Sequence, residues 1–306
     1  MNNDFEINKM YHGFKLVKDE TNNDIHSQSK LFKHIKSGAE LIYISNEDNN
    51  KTFCISFKTP PKSDNGIAHI MEHSVLCGSK KYPVKDPFFT LVNSSLNTFL
   101  NAMTFSDKTM YPFASQNSKD FKNLLGIYLD AVFYPNLLKD STILHQEGWH
   151  YHLENKTDEL KYSGVVYGEM QGAFSSPESV LNSECQMSLF PDTCYNFESG
   201  GIPKEIPSLT QQEFEKFHQT YYHPSNSKLF IYGNGDIKAH LKYINDEYLS
   251  DFEKIEIAPK IDVQQSFDNM IVKEFTYPIP DNVDINNQYF LGLNFATDGL
   301  QNSRDL

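Results

Sequence analysis

The period of apolar and polar positions changes several times along the chain, and each change marks an element. Two runs of strand composition, AELIYIS at 39–45 and KTFCISFK at 51–58, flank the turn residues Asn46–Asn50 and predict a hairpin over 39–58. The breaker Asp64-Asn65-Gly66 opens a predicted helix over 66–77. Residues 97–115 predict two strands, TFLNAMTFS and KTMYPFAS, turning near Asp107. Phe121, Leu124, Leu125, Tyr128, Leu129 and Val132 then keep helical spacing over 118–133, with Asn117 or Ser118 to cap the helix. WHYHLE at 149–154 reads as a short strand, and 163–174 and 177–190 as helices. Ser208 to Gln211 has the form of a capping box opening a helix to about 221, followed by strand LFIYGN (229–234) and a helix at 237–249.

Hairpins interleaved with helices predict an α+β fold: a two-layer α/β unit with an antiparallel-rich sheet and helices packed on one face. Residues 1–254 hold these elements, and a linker-like stretch covers 255–269. The strand-like segments IVKEFTYPI and NQYFLGLNFAT follow, so residues 270–306 read as the start of a second, truncated domain.

Composition narrows the function classes. With 23 Phe and 17 Tyr in a 39% hydrophobic chain, the protein is globular. Its formal net charge of −13 argues against nucleic acid, which needs clustered Lys and Arg, and against an anionic membrane surface. Arg304 is the one arginine in the sequence. Cys54, Cys77, Cys185 and Cys194 lack C-x-x-C spacing, so neither a zinc ribbon nor a redox pair is indicated. The N-terminal residues have no basic-then-apolar leader pattern, and no apolar run approaches membrane length. A cytoplasmic location is the expectation, with an organellar one left open.

The chemistry-bearing segment is Gly66-Ile-Ala-His69-Ile-Met-Glu72-His73. Residues four apart lie on one helix face, so His69 and His73 can aim two imidazoles at one metal ion. Glu72 projects beside the same site. Zinc takes imidazole and carboxylate ligands and, in catalytic sites, leaves a position for water whose proton a nearby carboxylate accepts. H-x-x-E-H is the inverted order of the commoner H-E-x-x-H motif. A pair of histidines sharing a helix face by chance is the bland reading of the pentapeptide alone.

HIMEHSVLCGSKKYPVKDPF, SLNTFLNAMTFSDKTMYPFAS, DFKNLLGIYLDAVFYP and GVVYGEMQGAF, in that order, resemble the inverzincin peptidases of the pitrilysin–insulysin clan (family M16). The closest look is to the presequence-protease group, which includes falcilysin-like enzymes. The resemblance runs from about Tyr11 to about Asp251 and more weakly beyond. It implies one Zn2+ per chain and a metalloendopeptidase acting on unstructured oligopeptides. It also makes residues 1–254 the catalytic domain, with Glu72 as general base.

A third ligand is required. Val165, Val166, Met170 and Ala173 define a buried face around Glu169, where a carboxylate is costly unless paired or metal-bound. The family places its glutamate ligand on the residue matching Glu169; a solvated helix residue is the alternative. Glu147 and Glu178 are weaker candidates, Glu147 also as a hydrogen-bond partner of a ligand histidine. TFLNAMTFS lacks the charges that protect an edge, and in similar peptidases this strand holds substrate. That role passes to Asn101 and Ala102, against the alternative of an internal strand with Asn101 at a bulge.

His145, His150 and His152 read as packing residues. Gly233-Asn-Gly235 reads as a helix-start turn, and Ser199-Gly200-Gly201 as a loop with a minor substrate role. Whole family members carry four such units around a chamber, and their C-terminal half, here absent from the sequence, supplies an arginine and a tyrosine at the scissile carbonyl. That half is an expected partner, in the same full-length chain or a separate one. Two rival readings are a non-catalytic peptide-binding subunit and a lyase of the S-ribosylhomocysteine type with a cysteine third ligand, Cys185 or Cys194.

Overall fold

A computed structural model describes residues 5–297 except 86, 258, 281, 283 and 285. The chain opens with β1 (Met10–Tyr11), β2 (Phe14–Asn22), β3 (Ser27–His34), β4 (Glu40–Ser45) and β5 (Lys51–Lys58). Helix α1 (Ile67–Val75) and helix α2 (Pro87–Ser94) precede β6 (Asn97–Leu100), β7 (Met103–Thr104) and β8 (Lys108–Ser115). Next come α3 (Ser118–Phe133), α4 (Thr142–Glu147), β9 (His150–His152), β10 (Lys161–Ser163), α5 (Val165–Ala173) and α6 (Pro177–Leu189). The last elements are α7 (Gln211–Tyr221), β11 (Ser227–Gly233) and α8 (Ile237–Glu247).

One sheet runs in the order β1-β2-β3-β4-β11-β5-β8-β6, with β7 also on β8; β9 and β10 form a separate ribbon. Among the described residues only β4–β11 pair in parallel. Alternate strand residues (Leu41, Phe53, Ile55, Phe57, Tyr111, Phe113, Leu229 and Ile231) are buried beneath Phe121, Leu124, Leu125, Tyr128, Phe214, Leu241 and Ile244 of the helices. The opposite sheet face is left more open, with Ile42 exposed. The result is the expected two-layer α+β arrangement.

Several local expectations are corrected. The strands of the predicted 39–58 hairpin form but do not pair, because β11 lies between them, with Leu229 opposite both Leu41 and Ile55. Two strand spacings of about 4.8 Å separate β4 from β5, a span that Asn46–Asn50 can cross. β11 gives each neighbour a full ladder, which local turn chemistry cannot foresee. The capping box sits two residues late: Thr210 Oγ1 accepts from Glu213 N (3.3 Å) and Glu213 Oε2 accepts from Thr210 N (3.1 Å). Ser208 instead closes a 3₁₀ turn, Ile206–Ser208, its hydroxyl donating to Glu205 O. Leu209 and Phe214 on either side of the true cap are both buried, as a hydrophobic staple requires.

The strand-like segments after 270 form no strand among the described residues. They touch through Tyr277, whose hydroxyl donates to Gln288 O and whose ring meets Phe290, but Met270, Val272, Tyr289, Leu291 and Phe295 are exposed. Residues 298–306, with Arg304, lie outside the described residues. β1, β2, β3, α2, α4 and β10 go unread in the sequence. β2 shows why: FKLVKDETN buries Phe14 and Leu16 at one end, then runs polar. No helix among the described residues is long and apolar enough to cross a membrane.

α3 and α7 are joined through a buried histidine. His218 is 4% exposed, stacks on Tyr222 at 5.0 Å, and Nε2–H donates to Val132 O at 2.9 Å. That carbonyl lies in the last turn of α3, where helices lack internal donors. Burial pushes the His218 pKa down to about 4. A depressed histidine stabilises the fold fully above its unfolded value near 6.5 and loses that contribution as pH falls toward about 4. Urea unfolding at pH 7, 5.5 and 4.5 should show stability falling with acid, and His218→Gln should flatten part of that slope while lowering stability at pH 7. An unchanged slope in His218→Gln refutes the assignment.

Candidate metal centre

Gly66 starts α1 in the left-handed region (φ 69°), and Asn65 Oδ1 accepts from Ile67 N. The helix then buries Ile67, Ala68, Ile70, Met71, Ser74 and Val75, leaving His69 and His73 on its half-buried side. Their rings meet edge to face at 5.0 Å.

Each imidazole is tethered through Nδ1. His69 Nδ1 lies 3.3 Å from Gly200 O, which must accept from Nδ1–H, and His73 Nδ1 lies 3.4 Å from Glu147 Oε2. A donor hydrogen on Nδ1 leaves the Nε2 lone pair free. Both Nε2 atoms face Glu169 Oε2, at 3.5 Å from His69 and 3.6 Å from His73. Ligand atoms about 2.0–2.1 Å from a tetrahedral zinc stand roughly 3.3–3.4 Å apart, close to both separations. Among the described residues, His69, His73 and Glu169 are the one group whose donor atoms all lie within 4.8 Å of one another and suit a metal ion.

Glu169 reaches this point by another route than its sequence surroundings imply. Val166 and Met170 are buried but Val165 is exposed, and the Glu169 side chain is 50% exposed. It stands on the open face of α5, so desolvation does not force it onto a partner. Glu147 is the buried carboxylate, fixed by Gln146 Nε2 at 2.8 Å and by His73. Burial raises the Glu147 pKa, but hydrogen bonds from His73, Gln146 and Cys77 outweigh it, so the net direction is down. For His73 burial pushes down, but the Glu147 hydrogen bond and the charges of Glu72, Glu169 and Glu147 prevail, so the net direction is up. That proton competes with any metal.

Glu72 is 7% exposed and lines a cavity of about 610 Å³ shared with His69, His73, Glu147, Asn101 and Ala102. The cavity runs along the sheet edge formed by β6 and β7 on β8. The predicted continuous strand is interrupted there at Asn101 and Ala102: Asn101 N still donates to Pro112 O, but Ala102 N donates to Asn101 Oδ1 at 2.9 Å. Thr104 Oγ1 donates to Ala68 O, tying the edge to α1.

Other candidates fall elsewhere. Glu178 accepts from Ser176 Oγ at the start of α6. His145 and His150 are held by main-chain carbonyls of Trp149 and His145. Gly233 and Gly235 both offer their carbonyls to Tyr43 at the turn into α8.

Residues 58–166 match the family model described as Insulinase (Peptidase family M16), and residues 208–305 the one described as Peptidase M16 inactive domain. The chain carries M16 peptidase domains. Protein HypA of Clostridium perfringens (strain 13 / Type A) is 54% identical over 299 residues, 96% of this chain and 31% of the relative. Presequence protease 1, chloroplastic/mitochondrial, of Arabidopsis thaliana is 46% identical, over 92% of this chain and 26% of the relative. The crystal structure of pitrilysin superposes with a TM-score of 0.64 at 18% identity, covering 82% of this chain and 26% of that one; it shares the fold. The M16 chain described here thus spans about a quarter to a third of the length of these relatives.

Ser199-Gly200-Gly201, which the sequence reads as a loop with a minor substrate role, also grips His69, a contact the sequence does not reveal. Its one signal was the Gly-Gly pair. Gly201 has φ 97°, and a Cβ there would stand 2.7 Å from Gly66 Cα. Gly201→Ala should therefore cost about 2–3 kcal/mol and weaken metal binding roughly tenfold by displacing the Gly200 carbonyl. Gly172→Ala on α5, with nothing within 4 Å of its Cβ, should leave stability equal or slightly higher. Denaturant unfolding with a zinc competition titration checks both, and equal stability of the two variants contradicts the packing argument.

Proposed function

We propose that the full-length protein is a zinc metalloendopeptidase for unstructured oligopeptides, with His69, His73 and Glu169 holding one Zn2+ and Glu72 as general base. The observation carrying this reading is that two tethered imidazoles converge on Glu169 Oε2 and line one cavity with the buried Glu72. Zinc bound there would polarise the scissile carbonyl and lower the pKa of a bound water to about 7. Glu72 then accepts the water proton at a carboxylate oxygen and delivers it to the leaving amine. Its burial keeps it close to the reacting atoms and out of competing hydration. Glu147 holds the His73 tautomer and does not ligate.

Along the edge at Asn101 and Ala102 a peptide is positioned by main-chain hydrogen bonds, which suits sequence-tolerant cleavage. An incoming strand there exchanges with the Asn101 side chain for the Ala102 amide. In this reading residues 1–254 form the catalytic unit, 255–269 a linker, and 270–306 the start of a second unit. The rest of the full-length protein closes the chamber, so this chain alone binds zinc but cleaves poorly. Glu72 stands unaltered at the cavity wall, which counts against a purely peptide-binding subunit. Cys185 and Cys194 lie outside the candidate ligand group, which counts against the lyase reading.

In the full-length protein, Glu169→Gln should lose most bound zinc. Glu72→Gln should keep about one zinc per chain while kcat on an oligopeptide falls ~10²–10⁴-fold. Metal analysis and peptide cleavage by mass spectrometry read the two separately. Full activity in Glu72→Gln would sink the base assignment, and full zinc in Glu169→Gln the ligand assignment.

A further inference from the structure

We propose that Glu198 is a positioning residue for His69, acting through the Gly200 carbonyl; the inference rests on the reading of His69 as a metal ligand. Gly200 has no side chain to fix its peptide groups, yet the direction of its carbonyl decides which nitrogen of His69 carries the hydrogen. Glu198 holds both peptide planes that flank Gly200. Its carboxylate accepts from Gly200 N at 3.2 Å, and its own carbonyl accepts from Gly201 N at 2.9 Å. Gly201 N–H and Gly200 C=O belong to one planar trans peptide group and point in opposite directions. Holding the N–H on Glu198 O therefore turns the Gly200 carbonyl toward His69 Nδ1.

Glu198 is itself fixed from two sides. Ser183 on α6 donates to Glu198 Oε2 at 2.7 Å, and Glu198 N donates to Asp64 Oδ1 at 2.8 Å. Asp64 O also accepts from Ile202 N at 2.8 Å, so the loop is fastened at both flanks to the breaker that starts α1. Hydrogen bonds to a carboxylate are among the stronger ones. A Cβ on Gly200 would meet the flexible end of Met170, Sδ at 2.8 Å, so Met170 would have to shift to admit one. His69 is thus oriented by a chain of contacts from α6 through Glu198 and Gly200, as His73 is oriented directly by Glu147.

The test compares Glu198→Ala, Glu198→Gln and Ser183→Ala with the unaltered chain. Nitrogen-15 NMR of the metal-free protein reads the His69 tautomer; zinc competition titration and the visible absorption of the cobalt(II) form read the site. Glu198→Ala is expected to lose the Nδ1–H tautomer as the dominant form and to raise the zinc Kd about tenfold, with an altered cobalt spectrum. Glu198→Gln keeps an acceptor for Gly200 N and a donor for Ser183 Oγ, and is expected within about twofold of the unaltered Kd. Ser183→Ala gives a smaller shift in the same direction and serves if Glu198→Ala does not fold. A tautomer and Kd unchanged in both Glu198→Ala and Ser183→Ala overturns the proposal, as does equal damage in Glu198→Gln and Glu198→Ala. A tautomer shift in Glu198→Ala, in a chain that binds no zinc at all, supports the positioning role and defeats the metal reading instead.

Discussion

Everything at this centre depends on the rotation of two imidazole rings. Helical spacing brings His69 and His73 to the same side of α1, but it does not decide which nitrogen faces the shared point. That decision is made by the partners of Nδ1, which come from far along the chain: a carbonyl 131 residues after His69 and the carboxylate of Glu147. With both Nδ1 atoms occupied, both Nε2 lone pairs face Glu169. The loop at Gly200, the helix α4 that carries Glu147, and the helix α5 that carries Glu169 are all arranged around this requirement.

The two tethers differ in kind. Glu147 is a buried carboxylate, and with Glu72 and Glu169 it surrounds the imidazoles with negative charge. In the absence of metal that charge favours a proton on His73; a dication satisfies the same field without the proton. His69 has a neutral carbonyl instead, so its orientation depends on backbone geometry and on glycines that allow close approach. An error in the loop disturbs His69 alone, whereas an error at Glu147 disturbs both the orientation of His73 and the charge balance.

What could be read from the sequence followed from how local each decision is. α3 was legible because its six apolar positions fall on one face and Asn117 caps it within three residues, accepting from Lys119 N and Asp120 N. The grouping of His69, Glu72 and His73 on α1 was legible because they lie within five residues. The pairing of β4 with β5 was not, because β11 between them is 170 residues distant and its claim on both edges is a tertiary fact. Nor was the role of Gly200, whose contact with His69 is made by a carbonyl that every residue possesses. The resemblance points to Glu169, while the physical argument attached to it, a carboxylate that burial forces onto a partner, fits Glu147 on His73 instead.

The insertion of β11 has a further consequence, for the order in which the molecule matures. β5 and β4 flank a gap that only residues 227–233 can fill, so the sheet under α1 is incomplete until that segment has been synthesised. The two histidines and Glu72 leave the ribosome more than 150 residues earlier. Contacts that close so late are slow to form. A nascent chain therefore carries His69, Glu72 and His73 before the sheet beneath α1 is complete. The strand order thus sets when the two histidines gain a finished support, although their own segment is made early.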